Sequence, residues 1–456
     1  MLKSIPKKKI VLLFGDILII AAAIYIAPLL RLGTIPDPWC IFDLSNLVPT
    51  FVYVLIIYLF DLYDMSMPVD KTNLALRLAL AIFVISIINA SLFYLFHLRP
   101  YSTWILFIST MLTLVFLVLW RLAFVYLVSA TAKPLRVLIL GAGKAGRELY
   151  RLLRTKQQYN VIGFVDDDAA KQHTQVDGLP VLGRSHELMD IISKQNIREI
   201  VVSVSGEIRP DVFPKLVEAK FRGVAVYEMP TIYEKVARKI PVLHTSHMWM
   251  GYADVYGVTN SAYNLKAKII FDKLLAVVGL MLASPVMALT AVLIRLESCG
   301  PALYRQERVG LDEKPFILFK FRSMCADAEC DGAVWAQKGD TRVTRVGRII
   351  RKTRIDELPQ LWNVLKGDMS FVGPRPERPE FVEFLKKDVP YYMLRHSVRP
   401  GITGWAQVNY PYGASRDDAL EKLQYDLYYI KNDSFLLDIH IMLRTLRVML
   451  FGIGAR

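Results

Sequence analysis

Four apolar runs crowd the start of this chain, at residues 10–30, 44–62, 78–96 and 104–120. Each approaches the roughly 20 residues that a helix needs to cross a bilayer. With 54% hydrophobic residues over 456 positions, a soluble enzyme is a poor first expectation. A chain of this length should also form more than one folding unit. Lys7, Lys8 and Lys9 precede the first run and no small-residue cleavage site follows it, so it reads as a retained helix. An even number of crossings returns the chain to its starting side. Lys71, Arg77, Arg121, Lys133 and Arg136 join the N-terminal lysines in marking that side as cytoplasmic, against His97 and Arg99. Residues 1–132 therefore read as a four-helix transmembrane bundle.

From residue 133 the texture becomes that of a soluble α/β unit. Apolar strands at 137–140, 161–165, 200–204 and 224–229 alternate with helical stretches, the pattern of a parallel sheet covered by helices. Gly141-Ala-Gly143-Lys-Ala-Gly146 links the first strand to a helix, and Asp166 follows the second strand, which is the setting of a dinucleotide-binding turn. Residues 133–241 thus read as a Rossmann-like domain in which Gly141, Gly143, Gly146 and Asp166 would hold NAD or another nucleotide. It contains no Tyr-x-x-x-Lys of the kind nucleotide-sugar epimerases use, which favours a regulatory or structural module over a redox enzyme. In the plainer reading, Asp166, Asp167 and Asp168 form an exposed acidic turn. Residues 242–263 read as a linker.

A fifth uncharged run covers residues 274–294. Lys266, Lys268 and Lys273 flank its start and Arg295, Arg305 and Arg308 follow its end, so both ends carry cytoplasmic signals. Ser284-Pro285 sits near its middle. Proline removes one helix hydrogen bond and bends the helix, and the serine hydroxyl can satisfy the freed carbonyl. A re-entrant helix over about 268–296 and an ordinary kinked span both fit.

The rest of the chain is basic and rich in Gly-Pro turns. The net charge of +14 is compatible with nucleic acid, anionic lipid or phosphate substrates, and the apolar runs favour the last two over nucleic acid. Cys40, Cys299, Cys325 and Cys330 lack zinc-ligand spacing and suit a reducing compartment. Arg351-Lys-Thr-Arg354-Ile-Asp356-Glu357 sets two adjacent carboxylates among cations. Their side chains diverge by about 100° on a helix, so they cannot act as a facing pair and their roles must differ. An aspartate can attack phosphorus while nearby arginines neutralise phosphate charge, and its neighbour can hold magnesium. A helix-capping acidic turn is the plain alternative. Gly373-Pro374-Arg375-Pro376 presents a guanidinium suited to phosphate, as Arg322 does within Lys320-Phe-Arg322, and Arg399-Pro-Gly401-Ile-Thr403-Gly404-Trp405 forms a further turn. Asp327, Glu329 and Asp331 read as solvated acids.

Together these elements resemble the catalytic domain of the polyprenyl-phosphate sugar phosphotransferases, the monotopic phosphoglycosyl transferases, over residues 264–456. Ser284-Pro285 matches the break in that family's re-entrant helix and Asp356-Glu357 its acidic dyad. The resemblance implies that Asp356 attacks the β-phosphate of a UDP-sugar and releases UMP, leaving a phosphosugar on the aspartate. Undecaprenyl phosphate would then accept the phosphosugar, the first step of exopolysaccharide or O-antigen assembly. It further implies phosphate-binding roles for Arg351 and Arg375, with Glu357 acting through Mg2+. The bundle and Rossmann-like domain resemble the long form of the family, set in the bacterial inner membrane with the α-rich catalytic domain on the cytoplasmic face. Membrane lipid is thus a partner, and the bundle and α/β unit offer surface for a homodimer.

Overall fold

The computed structural model describes residues 7–33, 43–60, 62–63, 71–95, 103–131, 134–204, 209–245, 247–252, 262–325, 342–411, 413 and 415–451. Cys40, His97, Arg99, Lys133, Asp327, Glu329, Cys330 and Asp331 lie outside the described residues. The chain packs as two units, Met1–Leu135 with Lys156–Asn160, and Arg136–Thr155 with Val161–Arg456.

The first unit holds α1 (Lys7–Leu32), α2 (Leu44–Leu59), α3 (Lys71–Leu95) and α4 (Thr103–Thr131). By length and composition, Ile10–Leu32 and Trp104–Phe124 can each cross a membrane, while Asn46–Ile57 and Leu78–Tyr94 are shorter apolar helices. Leu12, Ile20, Ile57, Leu78, Ile85 and Leu117 meet inside the bundle. Phe14, Leu18, Phe51, Phe83 and Leu119 face outward. Helices apolar on both faces require an apolar solvent, so this unit belongs in a bilayer. One buried ion pair joins α1 to α4, Asp16 to Arg121 at 2.5 Å, and Arg121 also donates to the Leu62 carbonyl at 2.5 Å. A charge placed in such surroundings demands a partner, and each of the two supplies the other's.

In the second unit, β1 (Leu135–Leu140), α5 (Lys144–Arg154), β2 (Tyr159–Val165), β3 (Gln175–Val176), β4 (Leu179–Gly183), α6 (Leu188–Gln195), β5 (Glu199–Val202), α7 (Phe213–Phe221), β6 (Ala225–Glu228) and α8 (Met229–Ala237) build one sheet and its helices. The strand order is β3-β4-β2-β1-β5-β6. Pairs β1–β5, β5–β6 and β2–β4 are parallel, and β3 runs antiparallel to β4 at one edge. The β3–β4 hairpin is an addition to the four strands expected. Its turn is Asp177-Gly178, both at positive φ (54° and 84°), a two-residue turn that asparagine or aspartate followed by glycine favours.

After α8, the segment expected to be a linker carries a 3-10 turn (Val242–His244) and α9 (His247–Tyr252). Ile240 and Val242 are buried in the same core as Trp405, Leu427 and Tyr429. The next element is α10 (Ala262–Glu297), 36 residues long, which continues through Pro285. Pro285 has no N–H to give the Met281 carbonyl four residues back, and the Ser284 hydroxyl donates to that carbonyl instead, at 2.8 Å. Beyond α10 lie β7 (Leu303–Val309), β8 (Pro315–Phe321), α11 (Arg345–Lys352), α12 (Gln360–Lys366), β9 (Ser370–Val372), α13 (Pro379–Asp388), β10 (Gly401–Thr403), α14 (Trp405–Asn409), α15 (Arg416–Asn432) and α16 (Phe435–Phe451).

Both ends of α10 are fastened to this same C-terminal domain. Near its start, Lys268 binds Asp438 and donates to the Tyr429 hydroxyl at 2.8 Å, and Asp272 accepts from Ser370 at 2.7 Å. At its end, Ile294 packs with Ala302, Phe321 and Ile350, and Glu297 accepts the backbone N–H groups of Arg345 and Val346, the first turn of α11. Between these anchors, Ile270, Leu274, Val278, Met281, Leu282, Leu289, Val292, Leu293 and Leu296 stand exposed. Their spacing of three and four residues makes one continuous apolar face.

Candidate active site

The acidic pair sits on a 3-10 turn (Ile355–Glu357) between α11 and α12. Arg354 precedes it in the left-handed region, φ 60°. That conformation costs a non-glycine residue of order 1 kcal/mol and reverses the chain sharply as α11 ends. Asp356 consequently turns inward, 9% exposed, and Glu357 turns toward Arg354 at the head of the same turn and toward cations from two other places in the chain. Its Oε1 lies 2.7 Å from Arg375, 3.3 Å from Lys320 and 3.6 Å from Arg354. Burial alone would push the Glu357 carboxyl up, but Arg375, Lys320 and Arg354 outweigh it and hold the group well below the usual carboxylate range. Asp356 is the reverse case. Burial, and then the neighbouring Glu357 charge, raise its carboxyl above the ordinary value against the pull of Lys320, Arg354 and Arg375. Adjacent residues thus hold two electrostatically different carboxylates, one saturated with cations and one short of partners. Among the described residues Asp356 Oδ1 is buried with no hydrogen-bond partner, and neither carboxylate caps a backbone N–H.

Two distant motifs supply the turn that carries Arg375. Strand β9 pairs parallel with β10, bringing Gly373 against Gly401 and Gly404. A methyl group on Gly373 would collide with the Arg399 carbonyl and the Gly401 nitrogen, so the close approach itself requires glycine. Lys320 arrives from β8, whose backbone is fixed to α12 by Asn363: its side chain donates to the Ile317 carbonyl at 2.7 Å and accepts from the Phe319 N–H at 3.1 Å. Lys320 and Arg354 are members of the cluster that the sequence motifs contain but to which the sequence alone assigns no individual site role. Lys320 stands between Phe319 and Phe321 and reads locally as a solvated or snorkelling cation.

Arg322 is engaged elsewhere. Its guanidinium donates to the Ser298 and Cys299 carbonyls, each at 2.8 Å, and so closes the C-terminal end of α10. Arg351 occupies the last turn of α11, and no ion pair joins it to Glu357 among the described residues. Ser284 and Pro285 lie on the exposed face of α10.

In the α/β sheet, Gly141 has φ 106°, and a side chain on Gly146 would strike the Gly141 carbonyl, whereas Gly143 faces open space. Asp166 accepts from the Ala142 N–H at 2.8 Å, the Asp168 N–H at 2.9 Å and Lys171 at 3.1 Å. These backbone bonds and Lys171 overcome the effect of burial and lower its pKa. Asp166 therefore holds the glycine turn in shape.

Residues 263–452 match the family model described as bacterial sugar transferase, and residues 58–230 match one described as a CoA-binding domain. The chain is 48% identical over 233 residues to a UDP-N-acetylgalactosamine-undecaprenyl-phosphate N-acetylgalactosaminephosphotransferase of Aeromonas hydrophila, covering 51% of this chain and 54% of that protein. It is 31% identical over 342 residues to an undecaprenyl-phosphate galactose phosphotransferase of Salmonella typhimurium, covering 70% of this chain and 69% of that protein. A protein of Bacillus subtilis named a putative undecaprenyl-phosphate N-acetylgalactosaminyl 1-phosphate transferase is 57% identical over 135 residues, which is 30% of this chain and 75% of that protein. The chain spans little more than half the length of the Aeromonas protein, 54%, and of two glucose phosphotransferase relatives from Xanthomonas campestris and Komagataeibacter xylinus, 57% and 60%.

Proposed function

The chain belongs to the bacterial sugar transferases, the polyprenyl-phosphate sugar phosphotransferases, and from that membership we propose that it moves a sugar 1-phosphate from a UDP-sugar to undecaprenyl phosphate. The observation that carries the reading is the Asp356 carboxylate, with a buried oxygen that has no hydrogen-bond partner, beside a cation-saturated Glu357. An Asp356 oxygen attacks the phosphorus that bears the sugar, the bond to the bridging oxygen breaks, and UMP leaves with that oxygen. The resulting acyl phosphate is then attacked by a phosphate oxygen of the lipid acceptor, which frees the carboxylate and forms the lipid diphosphate sugar. Lys320, Arg354 and Arg375 face charge that grows on the transferring phosphoryl group. Arg351 and Arg322 stand at the flanks, Arg351 as a further phosphate contact and Arg322 as the residue that holds the end of α10.

Magnesium fits this donor set. One or two carboxylates completed by substrate phosphates is its usual protein site; the unpartnered Asp356 oxygen offers one such ligand, and Glu357 would have to give up a share of its contacts with Arg375, Lys320 and Arg354 to offer a second. When bound it would neutralise phosphate charge.

The seating of α10 supports the re-entrant reading. A helix that crossed the membrane would carry one end away from the domain, yet Lys268 and Asp272 at one end and Ile294 and Glu297 at the other all bind that domain. The apolar stripe then dips into one leaflet, on the cytoplasmic face of the inner membrane, where nucleotide sugars are found. Cysteines introduced at Lys266 and at Arg295 in otherwise intact cells should both resist a membrane-impermeant thiol reagent added outside and both react in inverted vesicles. Labelling of one site from each side would sink the re-entrant reading.

In the α/β domain the strand order β4-β2-β1-β5-β6, with parallel pairs β2–β4, β1–β5 and β5–β6, and the glycine roles support a Rossmann-like module with open space at Gly143 for a nucleotide. If so, Gly143→Val should abolish retention of NAD or CoA by the purified chain. Retention by neither protein would leave the domain a structural one.

The function itself is tested by UMP release from a panel of UDP-sugars with undecaprenyl phosphate and magnesium. The substrate that responds names the sugar, on which the relatives' own names divide between N-acetylgalactosamine, glucose and galactose. No release across the panel from folded protein would overturn the transferase reading.

A further inference from the structure

The turn that presents Arg375 has no regular secondary structure from Pro374 to Arg378. Two prolines leave it without N–H groups at 374 and 376, so it cannot be held by a ladder of its own. It is nevertheless gripped on four successive carbonyls. Pro374 accepts from the Gly401 N–H at 2.9 Å, Arg375 from the Arg395 guanidinium at 2.9 Å, Pro376 from the Arg308 guanidinium at 3.0 Å, and Glu377 from the Val309 N–H at 3.0 Å. Arg395 is the central member. It is 5% exposed, donates to Tyr392 at 2.6 Å and to Asp426 at 3.0 Å, and Asp426 is itself 2% exposed. Asp426 belongs to the long helix α15, and Arg395 to a 3-10 turn between α13 and β10.

We propose that Arg395, fixed by Asp426 and Tyr392, is a positioning residue whose purpose is to set the Arg375 backbone so that the Arg375 guanidinium meets Glu357 and the donor's diphosphate. A buried guanidinium is an expensive way to satisfy a turn. What it provides is a rigid planar fork that fixes one carbonyl relative to a helix and a ring at once, which an ammonium cannot do. Arg375 lies at the end of that chain of contacts, 2.7 Å from Glu357. Displacement of a phosphate-binding group by an ångström is enough to cost a large factor in rate. The inference rests on the transferase reading for the role of Arg375, while the geometry that links Arg395 to it stands by itself.

A double-mutant cycle in the full-length protein tests it, with Arg395→Lys, Arg375→Ala and the pair, read by kcat/KM for UMP release and by the Kd for UDP. Acting through Arg375, Arg395→Lys should lower kcat/KM by about 10- to 100-fold and weaken UDP by about 10-fold in the wild-type background. In the Arg375→Ala background the same change should cost less than about 3-fold in either quantity. Tyr392→Phe, which removes one acceptor and little volume, should show the same dependence on background at smaller size, and serves if Arg395→Lys does not fold. Equal losses in both backgrounds would make Arg395 a purely structural residue and overturn the proposal. A wild type that binds UDP but releases no UMP would sink the transferase reading and leave the UDP cycle to decide the positioning role. Failure to bind UDP at all overturns both.

Discussion

Asp356→Asn is expected to lower sugar-phosphate transfer by about 10,000-fold or more, because the amide has no lone pair able to displace UMP from phosphorus. A stoichiometric burst of UMP without lipid acceptor, expected of the wild type, should vanish with it. Stability should move the other way. Asp356 is buried with one oxygen unpartnered and its carboxyl pushed up by burial and by Glu357, so the ionised form is costly at neutral pH. An uncharged side chain of equal size removes that cost, and the variant should melt at the wild-type temperature or a few degrees above it. A fall in Tm of more than about 5 °C, roughly the effect of 1 to 2 kcal/mol in a domain of this size, would mean that Asp356 holds the fold rather than performs chemistry.

Glu357→Gln should do the opposite to stability while also crippling the reaction. The carboxylate is the shared acceptor of Arg375, Lys320 and Arg354, and without its charge those cations repel one another with only partial solvation to relieve them. A loss of about 2 to 3 kcal/mol is expected, at or just below the lower end of the range for breaking a buried ion pair because Lys320 and Arg375 keep some exposure. Because the folded carboxyl sits below the ordinary glutamate value, this stabilisation is complete at neutral pH and fades only as the pH falls below about 4. Wild type and variant should therefore differ most in Tm near pH 7 and converge in acid. Identical stability of the two at pH 7 would rule out the cation cluster as Glu357's principal partner. Neighbouring acids that respond with opposite signs would separate the electrostatic roles of the two residues in a way that activity loss alone cannot.

The parts of this fold that were legible beforehand are those written in short stretches of chain. The apolar runs of the N-terminal helices, the strand-turn-helix around Gly141, the serine that compensates Pro285 and the Asp356-Glu357 turn each depend on neighbours within a few residues. The β3–β4 hairpin was equally local, since Asp177-Gly178 is a strong hairpin signal, and it was overlooked because the flanking strands are only two and five residues long. Lys320 is different in kind. Nothing nearby distinguishes it from Arg322, whose forked guanidinium suits phosphate better, and only the packing of β8 against α12 turns Lys320 to Glu357 while Arg322 turns to the end of α10. The same holds for Asp426, which reaches Arg395 across 31 residues of sequence. Asp166 shows the limit of a motif: its position after the second strand is as expected, but its hydrogen bonds go to the turn itself.

The exposed stripe of α10, from Ile270 to Leu296, also changes how concentration must be counted. An enzyme held by such a stripe meets its lipid acceptor by lateral diffusion in two dimensions, and the acceptor phosphate that attacks the acyl phosphate stays at a fixed depth. The governing variable for the second step is then the mole fraction of acceptor in the leaflet. Adding inert phospholipid at constant total acceptor should slow turnover as plain dilution does in a beaker, while adding more buffer at a fixed concentration of UDP-sugar should change nothing.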